Sequence, residues 1–265
     1  MITEILSHLP GDFPWRSNIQ YFDTLVSTNS YAKELAAQGA PHGTVVIAGM
    51  QTAGRGRMGR SFYSPKDGGI YLSVILRPNC PASMLMHLTC AAGVAMCDAV
   101  EEITGLRPGI KWINDLVLGN KKLGGILTEL SLAANSSTEY AVVGIGINCN
   151  QNEEDFPEEL RSVATSLSVF TEKSISLSSL AASMIRHLRR MDFCLLNSKK
   201  AIMDRYRLDC VTLGKDVTVH AAQSDRTGYA FGIDDDGALQ VRFPDGSCES
   251  ISSGEASVRG MYSYA

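Results

Sequence analysis

Apolar residues along this chain fall into short unbroken runs in the first half, at helical spacing in two longer stretches, and in alternation with polar residues toward the C-terminus. "HGTVVIAGMQ" and "GGIYLSVILRP" are Val- and Ile-rich runs bounded by Pro or Gly, the signature of buried strands. Before them, Ser27, Thr28 and Asn29 lead into "SYAKELAAQG", a short helix that Gly39 ends. From Ser83 onward, Leu85, Leu88, Ala92, Ala95, Ala99 and Ile103 recur at helical intervals, predicting a long core helix closed by Gly105. "GIKWINDLVL" and "KLGGILTEL" read as two strands joined by a tight Gly119-Asn120 turn, and "YAVVGIGINCN" as another strand. Helical spacing returns between Ser176 and Arg207, with Leu180, Met184, Leu188, Met191 and Leu195 inward and "RHLRR" as a solvated face.

Beyond about Leu213 the texture changes. "KDVTVHA", "GYAFGI", "ALQVRF" and "CESIS" alternate polar and apolar positions between "DDDG" and "PDG" turns, which describes a small antiparallel barrel leaning on a larger unit. Asp234, Asp235 and Asp236 lack the terminal Glu of a calcium loop, so they read as a turn. The division expected is a catalytic domain at 1–211 and a C-terminal domain at 212–265.

Composition narrows the function classes. The 265 residues are 45% hydrophobic and 20% charged, ordinary for a globular protein. Lys and Arg number 24 against 28 Asp and Glu, a net charge of -4, so the whole chain has no field for gripping long nucleic acid and any anion site must be local. The apolar runs are interrupted before the roughly 20 residues of a membrane span, and residues 1–11 lack a signal-peptide arrangement. The expectation is a cytoplasmic protein without a membrane segment. Seven scattered cysteines with no C-x-x-C pair exclude a disulfide framework or zinc ribbon, and only Cys149, beside a Gly-rich strand end, leaves a chemical role open.

The local anion site is the stretch "GRGRMGR", residues 54–60, where Arg55, Arg57 and Arg60 alternate with glycines directly after a strand. It satisfies G-x-G-x-x-G formally, but Pro65, Gly68 and Gly69 follow where the dinucleotide fold requires a helix. Positive charge must then come from guanidinium groups, which donate paired hydrogen bonds to phosphate or carboxylate, while glycines let backbone N–H groups approach closely. Three further strings carry polar groups or bare backbone into apolar runs. "KWINDL", taken as a strand, puts Lys111, Ile113 and Asp115 on one face and Trp112, Asn114 and Leu116 on the other. Lys122 precedes Gly124 and Gly125, and "GIGIN" places Gly144, Gly146 and Asn148 on one face, leaving room for something other than their own side chains. The pattern suggests phosphate handling; no P-loop, nucleophile elbow or H-E-x-x-H string occurs.

"STN", "QTAGRGRMGR", "KWINDL", "KLGGILTEL" and "GIGIN", in that order and spacing, resemble the catalytic core of a biotin protein ligase, and "SGEASVRG" resembles the end of its C-terminal barrel. The resemblance implies an α+β fold: a mixed β-sheet flanked by helices plus a small SH3-like C-terminal β-barrel. It implies that biotin and ATP, with Mg2+, form biotinyl-5'-AMP, and that a lysine of a biotin carboxyl carrier protein, an acetyl-CoA carboxylase subunit, then takes the biotin. By the same resemblance Ser27, Thr28, Asn29, Gln51, Gly54, Arg55, Gly56, Arg57, Lys122, Gly124 and Gly125 would bind biotin. Arg57, Arg60, Phe62, Asn114, Asp115 and Asn148 would hold ATP, Lys122 and Arg57 would be catalytic, and no metal ligand is assigned with certainty. Only 26 residues precede "STN", too few for the winged helix-turn-helix of repressor relatives, so no DNA partner is expected; relatives occur as monomers and homodimers. The alternatives are a lipoate or octanoate ligase of the same fold, which the Arg/Gly string disfavours, and a nucleotide- or RNA-binding module without catalysis.

Overall fold

The computed structural model describes residues 1–134, 137–220, 225–252 and, as backbone, 257–260. The larger sheet contains β1 (Ile19–Phe22), β2 (Thr44–Ala48), β3 (Gly69–Leu76), β4 (Gly109–Lys111), β5 (Asp115–Leu118), β6 (Lys121–Leu132) and β7 (Thr138–Asn148), in the spatial order β1-β2-β3-β7-β6-β5-β4. Among the described strand pairs of this sheet β1–β2 is parallel and the others are antiparallel, so the sheet is mixed, as expected. The helices are α1 (Ile2–Ser7), α2 (Thr28–Ala37), α3 (Leu88–Thr104), α4 (Glu158–Arg161), α5 (Leu167–Thr171), α6 (Leu177–Cys194) and α7 (Lys199–Asp209).

Strand alternation splits the sheet into two apolar faces. Val45, Ile47, Leu72, Val74, Val143 and Ile145 belong to the main core with α3 and α6, whereas Val46, Ile75, Tyr140 and Val142 pack with Ala32 and Ala36 of α2. α2 is short, so the α2 face of the sheet is only partly covered. Ser27 begins this helix, its Oγ accepting from the Ser30 N–H at 3.5 Å, a weak cap.

Two expectations are corrected. "GIKWINDLVL" is not one strand: β4 and β5 are antiparallel partners with Lys111 opposite Asp115, and the chain reverses through Trp112, Ile113 and Asn114, where the Trp112–Ile113 peptide is cis. The strand-face alternation assigned to that string therefore fails at its centre. The helical stretch from Ser176 breaks at residues 195–198 into α6 and α7. The Gly119-Asn120 turn stands, both residues having positive φ (53° and 61°) as a tight hairpin demands. The helical stretch Ala82–Thr104 (23 residues) would be long and apolar enough to cross a membrane by length and composition alone, but it is interrupted by Ser83, Gly93 and Asp98 and mostly buried as the central core helix.

The "RHLRR" face is tied down rather than merely solvated. Arg186 and His187 both meet Glu102 of α3, at 2.5 and 2.8 Å.

A second, antiparallel sheet follows: β8 (Asp216–His220), β9 (Asp225–Ile233), β10 (Leu239–Arg242), β11 (Cys248–Ile251) and β12 (Ser257–Gly260), in the order β11-β10-β9-β8-β12. It docks through the 234–237 turn. Asp234 Oδ1 accepts from the Asp236 and Ala238 N–H groups at 2.9 Å each, which makes this stretch the expected turn. Asp235 pairs with Arg207 at 2.5 Å, Asp236 with Lys199, and the Gly237 carbonyl accepts from Trp112 Nε1–H at 2.9 Å. Val217, Ala230, Leu239 and Val241 are continuous with the main core, so the second sheet shares apolar cover with the first.

Candidate active site

Beside α2, between the uncovered part of the sheet and the Arg/Gly loop, lies a cleft of about 400 Å³. Its floor is made where glycines yield their side-chain space. A β-carbon on Gly144 would fall 1.9 Å from Asn29 Oδ1, and one on Gly146 would fall 2.4 Å from the Phe62 ring. The room predicted from "GIGIN" is thus taken by the protein's own Asn29 and Phe62, which form part of the cleft wall.

At one end, side chains interlock around Ser73. Its hydroxyl donates to Asn29 Oδ1 at 2.7 Å and lies 2.9 Å from Thr28 Oγ1. Gln51 Oε1 accepts from the Thr28 N–H at 2.8 Å, and Gln51 Nε2 donates to Ser64 at 2.9 Å. Both amide protons of Asn29 are used, on the Leu127 carbonyl (3.2 Å) and Glu129 Oε2 (3.0 Å). These buried polar groups are satisfied by one another, which fixes the shape of this end.

The loop folds back on itself: the Gly56 N–H donates to the Arg60 carbonyl at 2.7 Å and the Phe62 N–H to the Gly54 carbonyl at 2.8 Å. Gly54 is required here because a β-carbon would meet the Phe62 carbonyl at 2.4 Å. Phe62 packs edge-on to Tyr71 with ring centroids 6.3 Å apart.

At the other end, cations gather around amide and carboxylate. Lys122 Nζ is 2.7 Å from Asp115 Oδ1, and Arg57 Nη1 donates to Asn114 Oδ1 at 3.1 Å. Burial pushes the Arg57 guanidinium below its ordinary pKa, partly opposed by the Asp115 charge. Among the described residues, Arg55, Arg57, Arg60, Lys111 and Lys122 line the cleft with Asp115 as the one lining carboxylate, while Glu129 just outside it pairs with Arg55 at 3.3 Å. Such an excess favours a polyanion.

Of the residues singled out in the sequence, Ser27, Thr28, Asn29, Gln51, Arg55, Gly56, Arg57, Arg60, Phe62, Asn114, Asp115, Lys122 and Gly125 line this cleft. Gly54, Gly124 and Asn148 do not. Gly124 is pressed against the Gly146 carbonyl, where a β-carbon would stand 2.4 Å away. Asn148 is 4% exposed; its amide donates to the Thr165 carbonyl at 3.0 Å and its Oδ1 accepts from Gln151 at 3.4 Å, inside the protein. Sequence reasoning missed Trp112 and Leu127 as wall residues, and it did not assign a role to Lys111 or Glu129. The acidic charge of Glu129 following the apolar and Gly-rich run of β6 was the available signal.

Cys149 takes no chemical role: it is fully buried, and burial pushes its thiol up to about 12, far from a thiolate at neutral pH. Among the described residues no group of three or more His, Cys, Asp or Glu could hold a metal ion.

Comparison with known proteins places this geometry. Residues 21–148 match the Biotin/lipoate A/B protein ligase family, and residues 212–259 match the Biotin protein ligase C terminal domain. The bifunctional ligase/repressor BirA of Bacillus subtilis is 38% identical over 234 residues, covering 85% of this chain and 70% of that protein. The biotin–acetyl-CoA-carboxylase ligase of Mycobacterium tuberculosis is 34% identical over 219 residues, covering 80% of this chain and 79% of that one. Among solved structures, biotin protein ligase from Aquifex aeolicus in complex with biotin and ATP superposes with a TM-score of 0.79 at 30% identity, over 92% of this chain and 99% of that chain.

Proposed function

This chain belongs to the biotin protein ligases, and we propose that the cleft between the Arg/Gly loop and β6 is where its two half-reactions take place. The enzyme is an ATP-dependent ligase that activates biotin and transfers it to a protein. The first step joins a biotin carboxylate oxygen to the α-phosphorus of ATP and expels pyrophosphate. In the second, a lysine amine of the carrier attacks the anhydride carbonyl, AMP leaves, and an amide remains.

The observation that carries the assignment is the convergence of Lys122 and Arg57 on Asp115 and Asn114 at the cationic end. Two anions must meet there, and charge grows on oxygen as they do; fixed cations lower that barrier because they are already oriented. Lys122 faces the reacting carboxylate, and Arg57 and Arg60 face phosphates. The Ser27–Asn29 end, with Gln51, holds the ureido head. Thr28 and Gln51 line that end while bonded to each other, Thr28 Oγ1 donating to Gln51 Oε1 at 3.2 Å, and Asn29, whose amide protons are spent within the protein, acts mainly as a strut. Phe62 offers an aromatic face to adenine; the Gly54 carbonyl holds the Phe62 N–H, Gly124 lets β6 approach Gly146, and Asn148 is spent on Thr165 and Gln151. Magnesium, arriving with ATP, would add charge neutralisation, with Asp115 the residue placed to share it.

We read the chain as a catalytic domain, 1–211, and a C-terminal domain, 212–265. The acceptor is the biotin carboxyl carrier subunit of acetyl-CoA carboxylase, a reading supported by the substrate named for the Mycobacterium tuberculosis relative. Incubation with labelled biotin, ATP and such a carrier tests it. Pyrophosphate release and label on a single carrier lysine are expected; consumption of lipoate in place of biotin would replace the substrate assignment.

A further inference from the structure

Glu129 is the one acidic residue of β6, and it points to the α2 side of the sheet, whereas its neighbour Thr128 meets Thr89 of α3. Three donors converge on its carboxylate. Lys33 Nζ lies 2.8 Å from Oε1; Asn29 Nδ2 and Arg55 Nη1 lie 3.0 and 3.3 Å from Oε2. Asn29 and Lys33 are four residues apart on α2, so they present both groups from one helix face. Burial alone would raise the Glu129 pKa, but the hydrogen bonds from Lys33 and Asn29 outweigh it and hold the group below its ordinary value. The carboxylate is therefore favoured in its ionised form and held by two groups of α2 that do not belong to the loop.

Arg55 is the only one of these partners that belongs to the Arg/Gly loop. The loop is thus tied across the cleft at two points: Arg57 to Asn114 at the cationic end, and Arg55 to Glu129 at the α2 end. The first tie involves groups that a phosphate would compete for. The second does not, because Glu129 repels anions and leaves Arg55 most of its five donors for other use.

On the ligand reading above, we infer that Glu129 is a positioning residue that latches the Arg/Gly loop over the acyl adenylate by holding Arg55 against α2. It touches no reacting atom. An exposed ion pair contributes little, but here the carboxylate is already ordered by two other donors, so Arg55 alone pays the ordering entropy.

Two measurements test the latch. In ligand-free protein, trypsin cleavage after Arg57 and Arg60 should be about two- to fivefold faster in Glu129→Gln than in wild type, the range for one half-exposed ion pair. The isosteric glutamine keeps the fold, checked by an unchanged cleavage pattern elsewhere, and Arg55→Lys should retain most of the protection. In the second measurement, release of preformed biotinyl-5'-AMP should accelerate by a similar factor in Glu129→Gln, and the Glu129→Gln/Arg55→Ala pair should release no faster than Arg55→Ala alone. Unchanged loop cleavage in Glu129→Gln, or factors that multiply in the double variant, would overturn the latch. Failure of the wild type to form the adenylate would instead strike the ligand reading and leave the cleavage result standing.

Discussion

Asn29 of α2 occupies the space that Gly144 of β7 leaves free: a β-carbon on Gly144 would lie 1.9 Å from Asn29 Oδ1. Gly144→Ala must therefore displace an amide that is tied to Ser73, Leu127 and Glu129. Each buried partner stranded this way costs about 1–3 kcal/mol. A fall in melting temperature together with weaker biotin binding by calorimetry is expected. Gly125→Ala, whose β-carbon would make its first contact at 3.4 Å, should leave stability nearly unchanged.

Lys122→Ala should slow adenylation by about a hundred- to a thousandfold, the scale for removing one oriented charge-stabilising group. Single-turnover pyrophosphate release measures it. A burst of wild-type rate would remove Lys122 from the first step.

Arg57→Ala should loosen the adenylate far more than the fold. Its contacts are charge-assisted, worth about 1.5–3 kcal/mol each, so dissociation should be faster by about tenfold or more. Stopped-flow displacement against thermal melting separates the two effects; a large loss of melting temperature with unchanged retention would contradict the role.

Trp112 links the cleft wall to the second sheet through its indole N–H and the Gly237 carbonyl. Trp112→Phe strands that buried carbonyl at a cost of about 1–3 kcal/mol. Hydrogen exchange should speed up at the 234–238 turn, and unchanged protection there would show that the sheet docks without this bond.

Acid should weaken the α2 end through Glu129, whose folded pKa lies below its ordinary 4.5. For a depressed carboxylate the stabilisation is complete above the unfolded value and is lost as pH falls through the folded one. Melting temperatures of wild type and Glu129→Gln should therefore differ above pH 4.5 and converge below it. Parallel curves down to the acid limit would mean the charge has no part in stability.

Periodicity alone was enough for most of the elements, because strand and helix spacing is a local property. The core helix closed by Gly105, the Gly119-Asn120 hairpin and the change of texture near residue 213 were all legible, and so was the concentration of cations at residues 54–60. What the string "KWINDL" could not reveal is that the chain reverses between Lys111 and Asp115, since an apolar run carries no mark of a reversal held from outside by Thr212 and Tyr206. Nor could it reveal what fills the space above Gly144 and Gly146, or which cation Glu129 holds. Those answers depend on partners such as Asn29 and Glu129, 100 residues apart in the chain. Local spacing encodes which face a residue takes, but a hydrogen bond between distant segments exists only after the sheet has brought them together.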